Sequence, residues 1–182
     1  MARIADSTRD NYPDDLKYVW DKLARDGAGR PANIFVAMGN NPALTRAYTR
    51  FGNVLWPECG LDARTREIVI LRCAHLRHSV YEWHQHVRIG RVAGVTDDEI
   101  RAVRNWQHGE VFTAPERVLL AYVDSLAETD HPATDIYEAL LAHYSPAAVV
   151  GITLLAAYYF MTAKFLGALE VAPEGEFVGW DL

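Results

Sequence analysis

Residues 61–103 read LDARTREIVILRCAHLRHSVYEWHQHVRIGRVAGVTDDEIRAV, and the reading of this stretch decides the fold. Apolar side chains recur at helical spacing through Ile68, Ile70, Leu71 and Leu76, with Asp62 placed to cap the start. The polar run Arg77–His78–Ser79 marks a break. A second helix follows through Tyr81, Trp83, Val87 and Ile89 and stops at Gly94. Thr96-x-x-Glu99 is a capping box for the next helix.

Working outward, the same period continues and no sustained alternation of period two appears, so the fold class is all-α. Upstream, a helix is expected over about Asp14–Arg25 with Leu16, Val19, Trp20 and Leu23 on one face. DGAGRP breaks it, and a short apolar piece at Ile34–Met38 follows. A longer helix runs over about Ala43–Leu55 and ends at WPECG. Downstream, Thr113-x-x-Glu116 caps a helix through Leu126, a further helix spans Ile136–His143, and Ser145–Pro146 opens a long apolar helix. The tail APEGEFVGWDL reads as irregular. The spacing from Glu67 to Thr96 equals that from Glu116 to Ser145, which fits either two related helical units or two coincident capping signals.

The chain has 182 residues, half of them hydrophobic, and a formal charge of −6. That length supports a single domain over 1–182 that buries roughly 70% of its extended surface. Within it, 61–103 is the core motif region and 1–40 an N-terminal helical extension. No basic cluster marks a nucleic-acid binder. The two cysteines, Cys59 and Cys73, form no C-x-x-C or zinc spacing and fit a reducing, cytoplasmic setting. MARIADSTRDNYPDD has no apolar leader region. Pro146–Ala163 is nearly long enough for a membrane span. Gly151, Thr153, Thr162 and the adjoining Lys164 favour a core helix instead, so no membrane association is expected.

The candidate chemistry lies between Glu67 and His86, where four histidines, two glutamates, a serine and a tyrosine are interleaved with apolar helix. On one continuous helix, His75, His78, Ser79, Glu82 and His86 would share a face; with a break near His78, Ser79, Glu82 and His86 still do. A carboxylate and an imidazole one turn apart suit general acid–base catalysis, and the apolar neighbours would raise a carboxyl pKa toward neutrality. The bland readings stand beside this one: Glu82 and His86 as a surface pair, Glu67 as a complement to the helix dipole, and Cys73 as a small buried hydrophobe. His78, Glu82 and His86 at i, i+4 and i+8 could in principle ligate a metal. Three ligands so spaced span two turns, which is wide for one ion, and no metal is expected.

LDARTREIVILRCAHL, VYEWHQH and GVTDDEIRAV together resemble the carboxymuconolactone decarboxylase family, which includes the alkylhydroperoxidase D-like proteins. The likeness is to a Y-E-W subgroup without the C-x-x-C pair. It implies an alkylhydroperoxidase D-like orthogonal helical bundle of about seven to nine helices. It also implies self-association as a homo-oligomer (dimer, trimer or hexamer) and a small-molecule substrate without cofactor.

The peroxidase branch of that family uses a glutamate, a C-x-x-C pair and a histidine. These fall on Glu67, on Ser79 and Glu82, and on His86, so both thiols are replaced. A peroxiredoxin-type activity belongs to the family as a whole, but serine and glutamate cannot perform dithiol chemistry. The decarboxylase branch is similar in carrying a Glu with a His four residues later. The resemblance therefore implies a lyase- or isomerase-type reaction on a small organic acid or lactone. Glu67, Glu82 and His86 would be catalytic, and His78, Ser79 and Tyr81 would contact substrate. Two alternatives remain: thiol chemistry through Cys73, which requires an accessible thiol, and a non-catalytic binding or assembly protein, which requires no convergence of Glu67, Glu82 and His86 on a cavity.

Overall fold

The arrangement of helices follows from where the chain caps and breaks them. The structure, a computed structural model, describes residues 2–129 and 131–182. Among these there is no β-strand, and the helices are α1 (Lys17–Asp26), α2 (Asn33–Met38), α3 (Pro42–Glu58), α4 (Ala63–Leu76), α5 (Val80–Val92), α6 (Asp97–Ala102), α7 (Ala114–Glu128), α8 (Thr134–Leu141) and α9 (Pro146–Leu169). The protein is an all-α bundle.

The N-termini are fixed by short polar side chains. Asp62 Oδ1 accepts from the Thr65 amide at 3.0 Å, and Ser145 Oγ accepts from the Ala148 amide at 3.2 Å. Thr96 with Glu99 and Thr113 with Glu116 form reciprocal capping boxes. The two box glutamates also serve a second purpose. Arg64 of α4 donates to Glu99 and, at 2.5 Å, to Glu116 Oε1, which draws the starts of α6 and α7 onto α4.

α3 departs from the sequence reading. It starts at Pro42, capped by Asn41 Oδ1, and continues past Leu55 to Glu58 with Pro57 inside its last turn. A proline there forfeits one amide donor, and its fixed φ suits a helix. Arg66 secures this end: its guanidinium lies over the Trp56 ring at 4.4 Å and donates to the Trp56 carbonyl at 3.3 Å. The extra turn places Trp56 on the helix.

α4 is buried on nearly every side, from Glu67 through Ala74, and packs on α5, α7 and α9. Its Arg72 crosses to α7 and grips Asp124 through Nε at 2.5 Å and a terminal nitrogen at 2.7 Å. The same side chain donates to the carbonyls of Val103 and Arg104. α9 is long and apolar enough to cross a membrane by length and composition. In the fold it is a packing hub, in contact with α3, α4, α5, α7 and α8. Where α9 meets the end of α3, a Cβ on Gly151 would lie 2.5 Å from the Cys59 carbonyl oxygen, so only glycine permits this approach.

Beyond α9 the tail has no regular structure, and it is docked. Trp180 packs on Trp83 with ring centroids 5.1 Å apart, Trp83 Nε1 donates to the Gly179 carbonyl at 2.9 Å, and the Val178 amide donates to His84 Nδ1 at 3.3 Å.

Candidate active site

The site begins at the break between α4 and α5. The Ser79 amide bonds the Ala74 carbonyl at 2.9 Å and the His78 amide bonds the His75 carbonyl at 3.0 Å, with His78 left-handed at φ 49°. This is a Schellman stop, normally made by glycine. It ends the face that one continuous helix would have given residues 75–86. His78 is turned out of the shared set, its ring against His75 at 6.1 Å, and does not line the cavity. Ser79 is buried at the N-cap of α5 and forms no capping bond through its side chain.

α5 carries Glu82 and His86 on the side facing α3 and α9, where they line a cavity of about 600 Å³ bounded by α1, α2, α3, α5 and α9. Its walls are mainly aromatic and aliphatic, among them Phe35, Tyr48, Trp56, Tyr158 and Tyr159. Such a volume suits a small organic ligand.

His86, 7% exposed, is held from three sides. Its Nδ1 is 2.7 Å from Glu67 Oε2, its ring meets Tyr159 edge-on at 5.0 Å, and Trp56 lies 6.1 Å away. Glu67 is wholly buried on α4, and Arg66 Nε donates to its other oxygen at 3.2 Å. A carboxylate receiving two donors directs the Nδ1 proton of His86 toward itself, so in the neutral imidazole Nε2 carries the lone pair. Nε2 makes no hydrogen bond among the described residues.

Glu82 is the opposite case. It is 2% exposed, and neither carboxylate oxygen has a hydrogen-bond partner among the described residues. Glu82 and His86 are therefore not bonded to each other, although they line one cavity. Burial pushes the Glu82 carboxyl up to about 8, opposed by the nearby Ser79 hydroxyl. Near neutral pH it is a protonated acid facing the cavity.

The tyrosines of the cavity are donors, not bases. Burial raises Tyr48 to about 12 and lifts Tyr81, Tyr158 and Tyr159 further. Tyr81 lines the cavity, but its hydroxyl donates to Glu174 of the tail at 3.0 Å and accepts from the Ile34 amide at 3.3 Å. The same glutamate accepts from the Asn33 amide at 2.5 Å and from Gln85, which ties the tail to α2 and α5.

No group of three His, Cys, Asp or Glu side chains gathers in metal-binding geometry among the described residues. Both cysteines are buried, and burial drives the Cys73 thiol well above its ordinary value. Sequence reasoning did not single out Trp56, Tyr158 or Tyr159 for the site, nor Glu174 as the partner of Tyr81. The first belonged to an expected helix terminator, the tyrosines to an apolar core helix, and Glu174 to an irregular tail.

Comparison with known proteins agrees with this architecture. Residues 42–125 match the model of the carboxymuconolactone decarboxylase family. The uncharacterized protein YnjA of Escherichia coli (strain K12) is 26% identical over 118 residues, 63% of this chain and 64% of that protein, so the match spans a little under two thirds of the relative's length. The fold is similar to that of an uncharacterized peroxidase-related protein from Ralstonia eutropha JMP134 with an alkylhydroperoxidase AhpD core. There the TM-score is 0.84 at 18% identity, covering 100% of this chain and 97% of that one. A variant of the debrominase Bmp8 in complex with 2,3,4-tribromopyrrole gives a TM-score of 0.79 at 17% identity, over 94% and 91% of the two chains. Likeness at such identities speaks for the fold. Residues 42–125, a little under half of the chain, are thus similar to the carboxymuconolactone decarboxylase family.

Proposed function

We propose that this protein is an enzyme that moves protons on a small organic acid or lactone, in a lyase- or isomerase-type reaction, using acid and base groups of its own chain. The observation that carries the reading is Glu82: a carboxyl group buried in a ligand-sized cavity, without a hydrogen-bond partner, and protonated near neutral pH. A group so placed is costly to keep unless a ligand completes it. Its raised pKa matches the requirement of a general acid working near pH 7.

His86 supplies the complementary base. Glu67 holds Nδ1 and fixes the tautomer, so Nε2 can accept a proton from a carbon acid. Glu82 then delivers a proton to carbon. In an isomerisation the two transfers shift a double bond. In a decarboxylation the electron pair left by departing CO₂ is captured by the Glu82 proton. Dithiol peroxidase chemistry gains no support, because Ser79 and Glu82 stand where a thiol pair would be needed and Cys73 is sealed in the core.

The test is turnover. Screening small carboxylic acids and lactones should yield a substrate, and Glu82→Gln and His86→Ala should each lower kcat by about 10²–10⁴-fold. Unchanged turnover of that substrate in both variants would sink the proposal.

A further inference from the structure

The cavity has a charge asymmetry that proton transfer does not explain. Three basic residues line it: Lys22 from α1, and Arg46 and Arg50 one turn apart on α3. None makes an ion pair or a side-chain hydrogen bond with a described residue, whereas Arg64, Arg66, Arg72 and Arg104 are all paired with carboxylates. Lys22 and Arg50 are exposed and Arg46 half-buried, so the three mark the solvent end, opposite buried Glu82 and His86. The lining contains two acidic residues, Glu82 at the inner end and Asp26 near the rim. With Glu82 protonated, Asp26 is the one anion facing three cations.

We propose that Lys22, Arg46 and Arg50 form a carboxylate-binding subsite at the mouth of the cavity, and that the ligand is an amphipathic monoanion. Its carboxylate is held at the rim. Its apolar body runs inward along Phe35, Tyr48, Trp56 and Tyr158, and its far end meets Glu82 and His86. Arginine forks suit a carboxylate, and two of them one turn apart can engage both of its oxygens. The rim carboxylate is thus a handle, separate from the atoms that exchange protons. One consequence concerns α1. It lies outside residues 42–125, yet it contributes Lys22 and Tyr18 to the cavity, so part of the ligand selection resides in the N-terminal extension.

The inference rests on reading this cavity as the substrate site, and binding tests it apart from turnover. The full chain is titrated calorimetrically at near-neutral pH and low salt with 1-naphthaleneacetate and with its neutral isostere 1-naphthaleneacetamide. The carboxylate should bind about tenfold tighter than the amide. An Arg46→Gln, Arg50→Gln double variant should abolish that preference while holding amide affinity, and Lys22→Gln should reduce it about threefold. Arg88→Gln, an exposed arginine outside the cavity, should leave both affinities unchanged. Carboxylate binding no tighter than amide binding, with absence of binding by either included, overturns the subsite, as does a preference untouched in the double variant. Should Glu82 and His86 prove dispensable for turnover while the preference behaves as stated, the subsite stands and the proton-transfer reading alone falls.

Discussion

Glu67 and Glu82 are both buried, and their neighbours treat them differently. Glu67 has no exposed surface, yet both its oxygens receive donors, one from Arg66 and one from His86. Glu82 is almost as deeply buried and receives none. The first is an anchor and the second an acid, a division of labour set by neighbours and not by residue type. The sequence sets Glu82 and His86 one helical turn apart and joins Glu67 to them through the family resemblance alone. It did not carry the partnership. The spacing of Glu82 and His86 points to a direct pair, whereas the fold pairs His86 with Glu67 across the α4–α5 break. At the same scale, Cys73 has no exposed surface and a raised pKa. The native protein should therefore fail to react with a thiol reagent such as DTNB and should react once unfolded. Rapid labelling of Cys73 in the folded state would restore a thiol mechanism.

Among the elements, those with local signals were legible. The caps at Asp62, Thr96, Thr113 and Ser145 each rest on a side chain and an amide three residues away, and sequence spacing displays such contacts directly. Elements shaped by distant partners were less so. α3 runs three residues past its expected end at Leu55, where Arg66 of α4 secures Trp56, and the tail is held by Trp83, His84 and Arg104. Trp56 and Tyr159 meet across α3 and α9 through a hydrogen bond of 3.0 Å, a contact 103 positions apart in sequence. The joint between α4 and α7 gives a prediction of this kind. Arg72→Met leaves Asp124 with its main charge partner gone in a largely buried position, and should cost about 3–5 kcal/mol in urea unfolding. A loss below about 1 kcal/mol would place the pair among surface ion pairs instead.

For the whole molecule, Glu82 makes stability depend on pH. Its folded-state pKa, about 8, lies above the ordinary value of 4.5, so between those limits the folded protein retains a proton that the unfolded chain has released. Stability contributed by this group is thus full below the lower limit, falls as pH rises through the window, and is level above about 8. His75, lowered first of all by burial, acts in the opposite sense near its own titration, so wild type is compared with Glu82→Gln to isolate the carboxyl. The variant should gain on wild type by roughly 3 kcal/mol between pH 5 and pH 8, read by urea unfolding at each pH. A constant difference across that range would contradict the assignment.

The proposed proton transfer requires an acid poised near neutrality inside the cavity. The direct measurement is a ¹³C NMR titration of glutamate side-chain carboxyls, with the Glu82 resonance identified by its absence from Glu82→Gln. A midpoint near 8 is expected for that resonance. A midpoint in the ordinary glutamate range, about 4–5, would mean that Glu82 is charged at neutral pH and is not the proton donor.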